Sequence, residues 1–221
     1  MVRPVPEVEA LEQAAVRDLL QKTLLAPLEN WQMLELSTAL AAAEALAKAA
    51  GKEAEIRVGL GSDRIVAVAG DDFEVHWQRA LKPREPEKLD PSEALAKKLA
   101  QSIGTDTASS RVDVAVVDRK TGKEIAHCEC KWFESETSAP SAVSDACVQI
   151  TRYAMDSRPN SLGEAESVLQ DSLVVVASRG KFAERVDGSG PVGFTDFDGL
   201  ESGSLEKWAA ALALRHGPVG S

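Results

Sequence analysis

Two short β-type runs, at residues 111–117 (RVDVAVV) and 124–132 (EIAHCECKW), are joined by a polar turn at 118–123 and constrain the fold more than any other feature. Their β-branched residues and the turn between them spell an antiparallel hairpin. Strand side chains alternate, so Arg111, Asp113, Ala115 and Val117 are expected on one face, and Val112, Val114 and Val116 on the other. The same parity puts His127, Glu129 and Lys131 on one side of the second strand and Ala126, Cys128, Cys130 and Trp132 on the other. Strands covered on both faces normally read as continuous apolar runs. Two carboxylates and an ammonium in the middle of one hairpin face therefore demand an explanation.

The rest of the chain supplies layers for this hairpin. Alanine and leucine dominate two expected helices at 7–25 and 27–50, with Pro27 suited to a first helical position and Gly51 to an end. Three β-type runs follow at 55–60, 64–69 and 73–78, then a proline-punctuated connector at 81–91 and a helix at 92–103 capped by Ser92. Beyond the hairpin, a helix is expected at 142–155, a buried strand at 172–177, an edge strand at 191–197 and a terminal helix at 205–215. Helices interspersed with strands predict an α/β domain with a central mixed β-sheet flanked by helices. The expected division is an N-terminal helix at 1–26, one domain at 27–215 and a disordered tail at 216–221.

With 221 residues, 44% of them hydrophobic, the chain has enough apolar material for one sizeable core. No apolar run is long enough to span a bilayer, and the first residues lack the pattern of a secretory signal, so no membrane association is expected. Three cysteines without a pairing pattern suit a reducing, cytoplasmic compartment. The three histidines are far apart in sequence, so any metal would be held by oxygen. Net charge is −10, a poor general setting for binding nucleic acid. Residues 111–158 are nearly neutral, however, with seven basic side chains against eight acidic ones. A polyanion would be tolerated there best.

The bland reading of the hairpin is a salt bridge from Lys131 to Glu129 or Asp113. The alternative is chemical. Neighbouring carboxylates repel unless a cation neutralises them, and Mg²⁺ binds through one or two carboxylates plus water or phosphate. An ammonium beside such an ion orients the attacking water or stabilises phosphate charge. Asp113, fifteen intervening residues, and then Glu129-Cys130-Lys131 resemble the PD-(D/E)xK nuclease pattern, with Val112 where that family often has proline. Gln149 and Tyr153, at i and i+4 on the next helix, resemble the Q-x-x-x-Y element of its RecB-type branch, and Tyr153 is the only tyrosine in the chain. The element order over 27–178 matches that family's core.

The resemblance implies a restriction-endonuclease-like fold and a metal-dependent endonuclease acting on DNA in defence or repair. It implies Mg²⁺ or Mn²⁺ held by Asp113, Glu129 and the Cys130 carbonyl, with Lys131 assisting the attacking water, and Gln149, Tyr153 and Arg152 bracing the site or touching the nucleic-acid backbone. A further acidic ligand from the first core helix is left open between three residues. Glu44 reads as a surface pair with Lys48, Glu29 as a first-turn dipole partner, and Glu35, between Leu34 and Leu36, as the expected ligand. Resemblance of the segment LENWQMLEL to McrC-type restriction subunits favours Glu29 instead. His127 has the right parity to line the site but reads more simply as a structural residue. Arg152, Arg179, Lys181 and Arg185 are candidate phosphate contacts, or solvated charge. Targeting is expected from a homodimer or from a separate targeting or motor subunit. The competing expectations are a non-catalytic interaction module of the same fold and an RNA-cleaving effector.

Overall fold

Helix α1 (Asn30–Ala49) opens with a reciprocal capping box, in which Glu29 accepts from the backbone of Gln32 and the Gln32 side chain accepts from the Glu29 N–H at 3.0 Å. It closes at Gly51, whose φ of +67° suits a residue without Cβ. The computed structural model describes residues 29–57, 65–81, 91–102, 111–133, 139–158, 161–178, 185–186 and 190–217. The helix expected at 7–25 and residues 82–90 of the connector expected at 81–91 lie outside them. The remaining elements are β1 (Ala54–Ile56), β2 (Ile65–Ala69), β3 (Phe73–Ala80), α2 (Pro91–Ser102), β4 (Arg111–Asp118), β5 (Glu124–Lys131), α3 (Ala139–Ser157), α4 (Leu162–Asp171), β6 (Leu173–Val176), β7 (Gly193–Asp196), α5 (Phe197–Glu201) and α6 (Ser204–His216).

The seven strands form one mixed sheet in simple chain order. β1 to β5 pair antiparallel, whereas β5, β6 and β7 run parallel, because α3 and α4 carry the chain back across the sheet before β6. Sequence order predicted this α/β arrangement, including β7 at an edge. On one face α1 and α6 pack over Val114, Val116, Ala126, Cys128, Leu173 and Val175. On the other, α3 covers Val174 and Val176 with Ala146 and Ile150. Alanines 39, 42, 43 and 47 of α1 are almost wholly buried, so the helix backbone lies close to the sheet and to α6.

Several expectations need correction. Ser92 does not cap its helix; Pro91 is the first helical residue, where its missing N–H costs nothing. α4 was not anticipated, although Ser161 accepts from the Glu164 N–H at 3.2 Å in an ordinary N-cap. His216 is the last residue of α6 rather than the first of a tail. Asp171 holds it, with His216 Nε2 and Arg215 each 2.5 Å from its carboxylate. Among the described residues no helix is long and apolar enough to cross a membrane. All three cysteines are free thiols, with Cys147 exposed.

If close approach of α1 depends on its alanines, Ala42→Leu, at a fully buried position, forces the helix outward. A loss of about 1–3 kcal/mol is expected, read from the urea midpoint at unchanged m-value.

Candidate active site at the parting of β4 and β5

The β4–β5 ladder stops at Val114↔Cys128, three residues short of the end of either strand. Beyond that point the Cys130 N–H is taken by the Asp113 side chain, at 2.8 Å from Oδ2. On the other side of β4, the β3 register skips Gln78, which has a positive φ of 54° and so occupies a region uncommon for a residue with Cβ. Alternation breaks there. Trp77 Nε1 (3.0 Å) and Gln78 Nε2 (2.8 Å) both donate to Glu35 Oε2 on α1, where neighbours on a regular strand would point to opposite faces. The parity expected for β4 fails at the same place: Val112 joins Ala115 and Tyr153, while Val114 belongs to the α1 side.

The parted strands open a cleft of about 610 Å³, lined by Trp31 and Glu35 from α1, Arg111 and Asp113 from β4, Glu129 to Trp132, and Gln149 and Tyr153 from α3. Glu129 is 1% exposed, and its Oε1 pairs with Lys131 Nζ at 2.6 Å. The same ammonium donates to Gln149 Oε1 at 2.5 Å. Oε2 of Glu129 is buried with no hydrogen-bond partner among the described residues. Such an oxygen is costly unless a cation or donor satisfies it.

Burial, joined by the charges of Glu129 and Glu35, pushes the Asp113 carboxyl well above its usual range, against the opposing pull of the Cys130 N–H and Lys131. Burial also raises Glu129, despite the proximity of Lys131 and the Tyr153 phenol. Burial with the adjacent carboxylates raises Tyr153 in turn, keeping it a neutral donor. The Cys130 thiol is raised by burial and is no nucleophile.

The structure thus gathers Asp113, Glu129, Cys130, Lys131, Gln149, Tyr153 and Glu35 around one cleft, and leaves other candidates elsewhere. Glu29 caps α1, and Glu44 is exposed. Lys48 pairs with Glu206 of α6 at 2.8 Å rather than principally with Glu44. Arg152 is exposed and does not line the cleft, nor does Arg185; Arg179 and Lys181 lie outside the described residues. His127 is fully buried behind the cleft wall, edge-on to Tyr153 with ring centroids 6.3 Å apart. Sequence reasoning missed Arg111, Trp31 and Trp132 as wall residues. Trp31, four residues before Glu35, shares its helix face, and Trp132 directly follows the E-x-K tripeptide, so both signals were present.

Scans against protein-family models, curated proteins and solved structures each found no match. What the site does therefore rests on its own chemistry. Among the described residues no three His, Cys, Asp or Glu side chains are gathered to hold an ion. Magnesium needs fewer, since one or two carboxylates with water or phosphate suffice.

A second polar network lies behind Tyr153. Glu124 accepts from Arg79 Nε and Ser157 Oγ, each at 2.8 Å, and Ser157 also lies 3.2 Å from His127 Nε2. Burial disfavours the Glu124 anion, but His127, Ser157 and Arg79 outweigh it and hold the pKa down to about 2.

These shifts carry opposite signs. Asp113 has its folded pKa above its unfolded one, so stability falls as pH rises through that interval. Asp113→Asn keeps an oxygen for the Cys130 N–H and is expected to stabilise the metal-free protein at pH 7 by on the order of 1 kcal/mol. The gain should vanish as pH falls to about 4. Urea melts at both pH values measure it, and a loss of stability at pH 7 would make Asp113 a structural ion-pair partner. Glu124, lowered from 4.5 to about 2, contributes fully above its unfolded pKa and loses that contribution as pH falls through the folded one. Glu124→Gln should cost about 2–3 kcal/mol at pH 7 and progressively less as pH falls from about 4.5 toward 2.

Proposed function

We propose that the protein is a metal-dependent nuclease of the restriction-endonuclease-like, PD-(D/E)xK type that hydrolyses DNA phosphodiester bonds. One observation carries the reading: the carboxyl groups of Asp113 and the buried Glu129 line one cleft, with the Lys131 ammonium 2.6 Å from Glu129 Oε1. Two carboxylates raised by burial and by neighbouring carboxylate charge are a fitting seat for a hard divalent cation. Asp113 and Glu129 would hold Mg²⁺ or Mn²⁺, while Glu35, with one oxygen already committed to Trp77 and Gln78, adds negative charge at the wall. When bound, the ion supplies Lewis acidity toward the phosphate and lowers the pKa of water.

The chain's own residues have distinct tasks. Lys131, fixed by Glu129 and Gln149, holds a positive charge where negative charge develops on the phosphate. Gln149 aims that ammonium through its carbonyl oxygen. Tyr153, neutral, presents its phenol beside Glu129 and is backed by His127. The closed Lys131–Glu129 pair also suits a non-catalytic module of the same fold, and the acidic chain suits targeting by a second copy or a partner subunit. Metal titration separates the two readings.

Mg²⁺ or Mn²⁺ at 100 times its dissociation constant should stabilise the protein by about 2.7 kcal/mol, and this gain should disappear in Asp113→Ala. Plasmid DNA should be cleaved by the wild type with either ion, and Lys131→Ala should lower the rate by about 10²–10³ without altering the fold. Cleavage of RNA but not DNA would reassign the substrate, and neither metal uptake nor cleavage would leave only the interaction module.

A further inference from the structure

Arg111 lines the cleft and, among the described residues, makes no hydrogen bond and no ion pair, although Glu35, Asp113 and Glu129 line the same walls. The other described arginines are all engaged by the protein itself, as Arg79 is by Glu124 at 2.8 Å, Arg119 by Glu74 at 3.4 Å and Arg215 by Asp171 at 2.5 Å. The mount of Arg111 is fixed. It opens β4 in register with Ala80 of β3, whereas pairing with β5 has ended at Val114↔Cys128, so β4 meets the cleft along the edge that β5 has left. Its charge bears on the Tyr153 phenol, which sets the guanidinium beside the α3 wall.

Lys131, the other cation of the cleft, is already shared between Glu129 at 2.6 Å and Gln149 at 2.5 Å. A guanidinium keeps its proton in any protein setting, and its planar fork matches two oxygens of one phosphate. Charge points the same way. Two cations against three carboxylates leave the cleft one net negative charge when all three are ionised. A seated dication reverses it to one net positive, which a single phosphodiester cancels. Resting on the nuclease reading of this cleft, we propose that Arg111 is a phosphate clamp, whose guanidinium grips a backbone or terminal phosphate of the substrate in the ground state and so sets affinity, while Lys131 acts on the reacting phosphate.

Binding is measured separately from cutting. Short labelled DNA of one sequence, with 5′-hydroxyl or with 5′-phosphate ends, is titrated with the full chain by anisotropy in Ca²⁺ buffer at several salt concentrations. Arg111→Ala should weaken binding by about 10- to 100-fold at low salt and make the fall of log affinity with log salt shallower by about one. Arg111→Lys should keep the salt slope and recover part of the affinity, and Arg111→Gln, which loses only the charge, stands in for an alanine variant that fails to fold. In Mg²⁺, Arg111→Ala should raise KM and leave kcat nearly unchanged. A loss common to both DNAs assigns an internal phosphodiester to the clamp, and a loss confined to the 5′-phosphorylated DNA assigns a terminal monophosphate. A wild type that takes up neither DNA, a neutral variant that binds like wild type, or a loss of affinity at unchanged salt slope overturns the clamp. A protein that binds DNA through Arg111 but cuts nothing in Mg²⁺ keeps the clamp and overturns the nuclease. Cleavage that depends on Asp113 while Arg111→Ala keeps the wild-type KM and affinity does the reverse.

Discussion

The hydrogen bond from the Cys130 N–H to the Asp113 carboxylate is the constraint on which the rest of the site depends. It stands in for the ladder bond that β4 and β5 stop making after Val114↔Cys128, so the strands part without orphaning a buried donor. Parting has a price on the neighbouring strand, where Gln78 takes a positive φ and alternation breaks. That break brings Gln78 and Trp77 together on Glu35, fastening α1 across the opening. One irregular register position thereby gathers groups from α1, β3, β4 and β5, which a regular sheet would have dispersed over both faces.

The carboxylates of the cleft are arranged against their own interest. Asp113 and Glu129 sit in low-dielectric surroundings among like charges, and receive only partial relief from one lysine, the Tyr153 phenol and one backbone N–H. The network behind them has the opposite character. Glu124 is satisfied by Arg79 and Ser157, and Arg158 donates to the Glu124 carbonyl at 2.5 Å. His127, held between Ser157 and Tyr153, connects the two regions. Glu124 behind is thus held as an anion by three donors, whereas burial disfavours the charged forms of Asp113 and Glu129 in front.

Much of this was legible in the chain. Hairpin, flanking helices, buried β6 and edge β7 follow from periodicity and turn residues that agree with the final packing. The antiparallel turn foretells that Asp113 lies near Glu129 and Lys131, but the strand parity that was to face them together fails between Val112 and Val114. What escaped was non-local. No period of two or 3.6 foretells that Gln78 turns left-handed, at the register position where the β3–β4 pairing skips a pair. Lys48 was expected to pair along its own helix and pairs instead with Glu206, because α6 packs alongside α1 in a way that sequence spacing does not encode. α4 escaped for a local reason: a ten-residue helix with Gly163 in its first turn is a weak periodic signal, despite its Ser161 cap.

α1 shows how one helix serves two physical demands. Its C-terminal half is alanine-rich and buried, so the backbone sits tight against the sheet and α6. Its first two turns carry Trp31 and Glu35, large groups that cannot be accommodated in such a close contact and that line the cleft instead. The position of the wall is thus set by small residues several turns away, while its chemistry is set at the end where β4 and β5 have parted. Widening the helix–sheet spacing through the alanines would carry Glu35 away from Trp77 and Gln78. A packing change remote from every carboxylate would then alter the electrostatic environment of Asp113, on which the Glu35 charge acts directly.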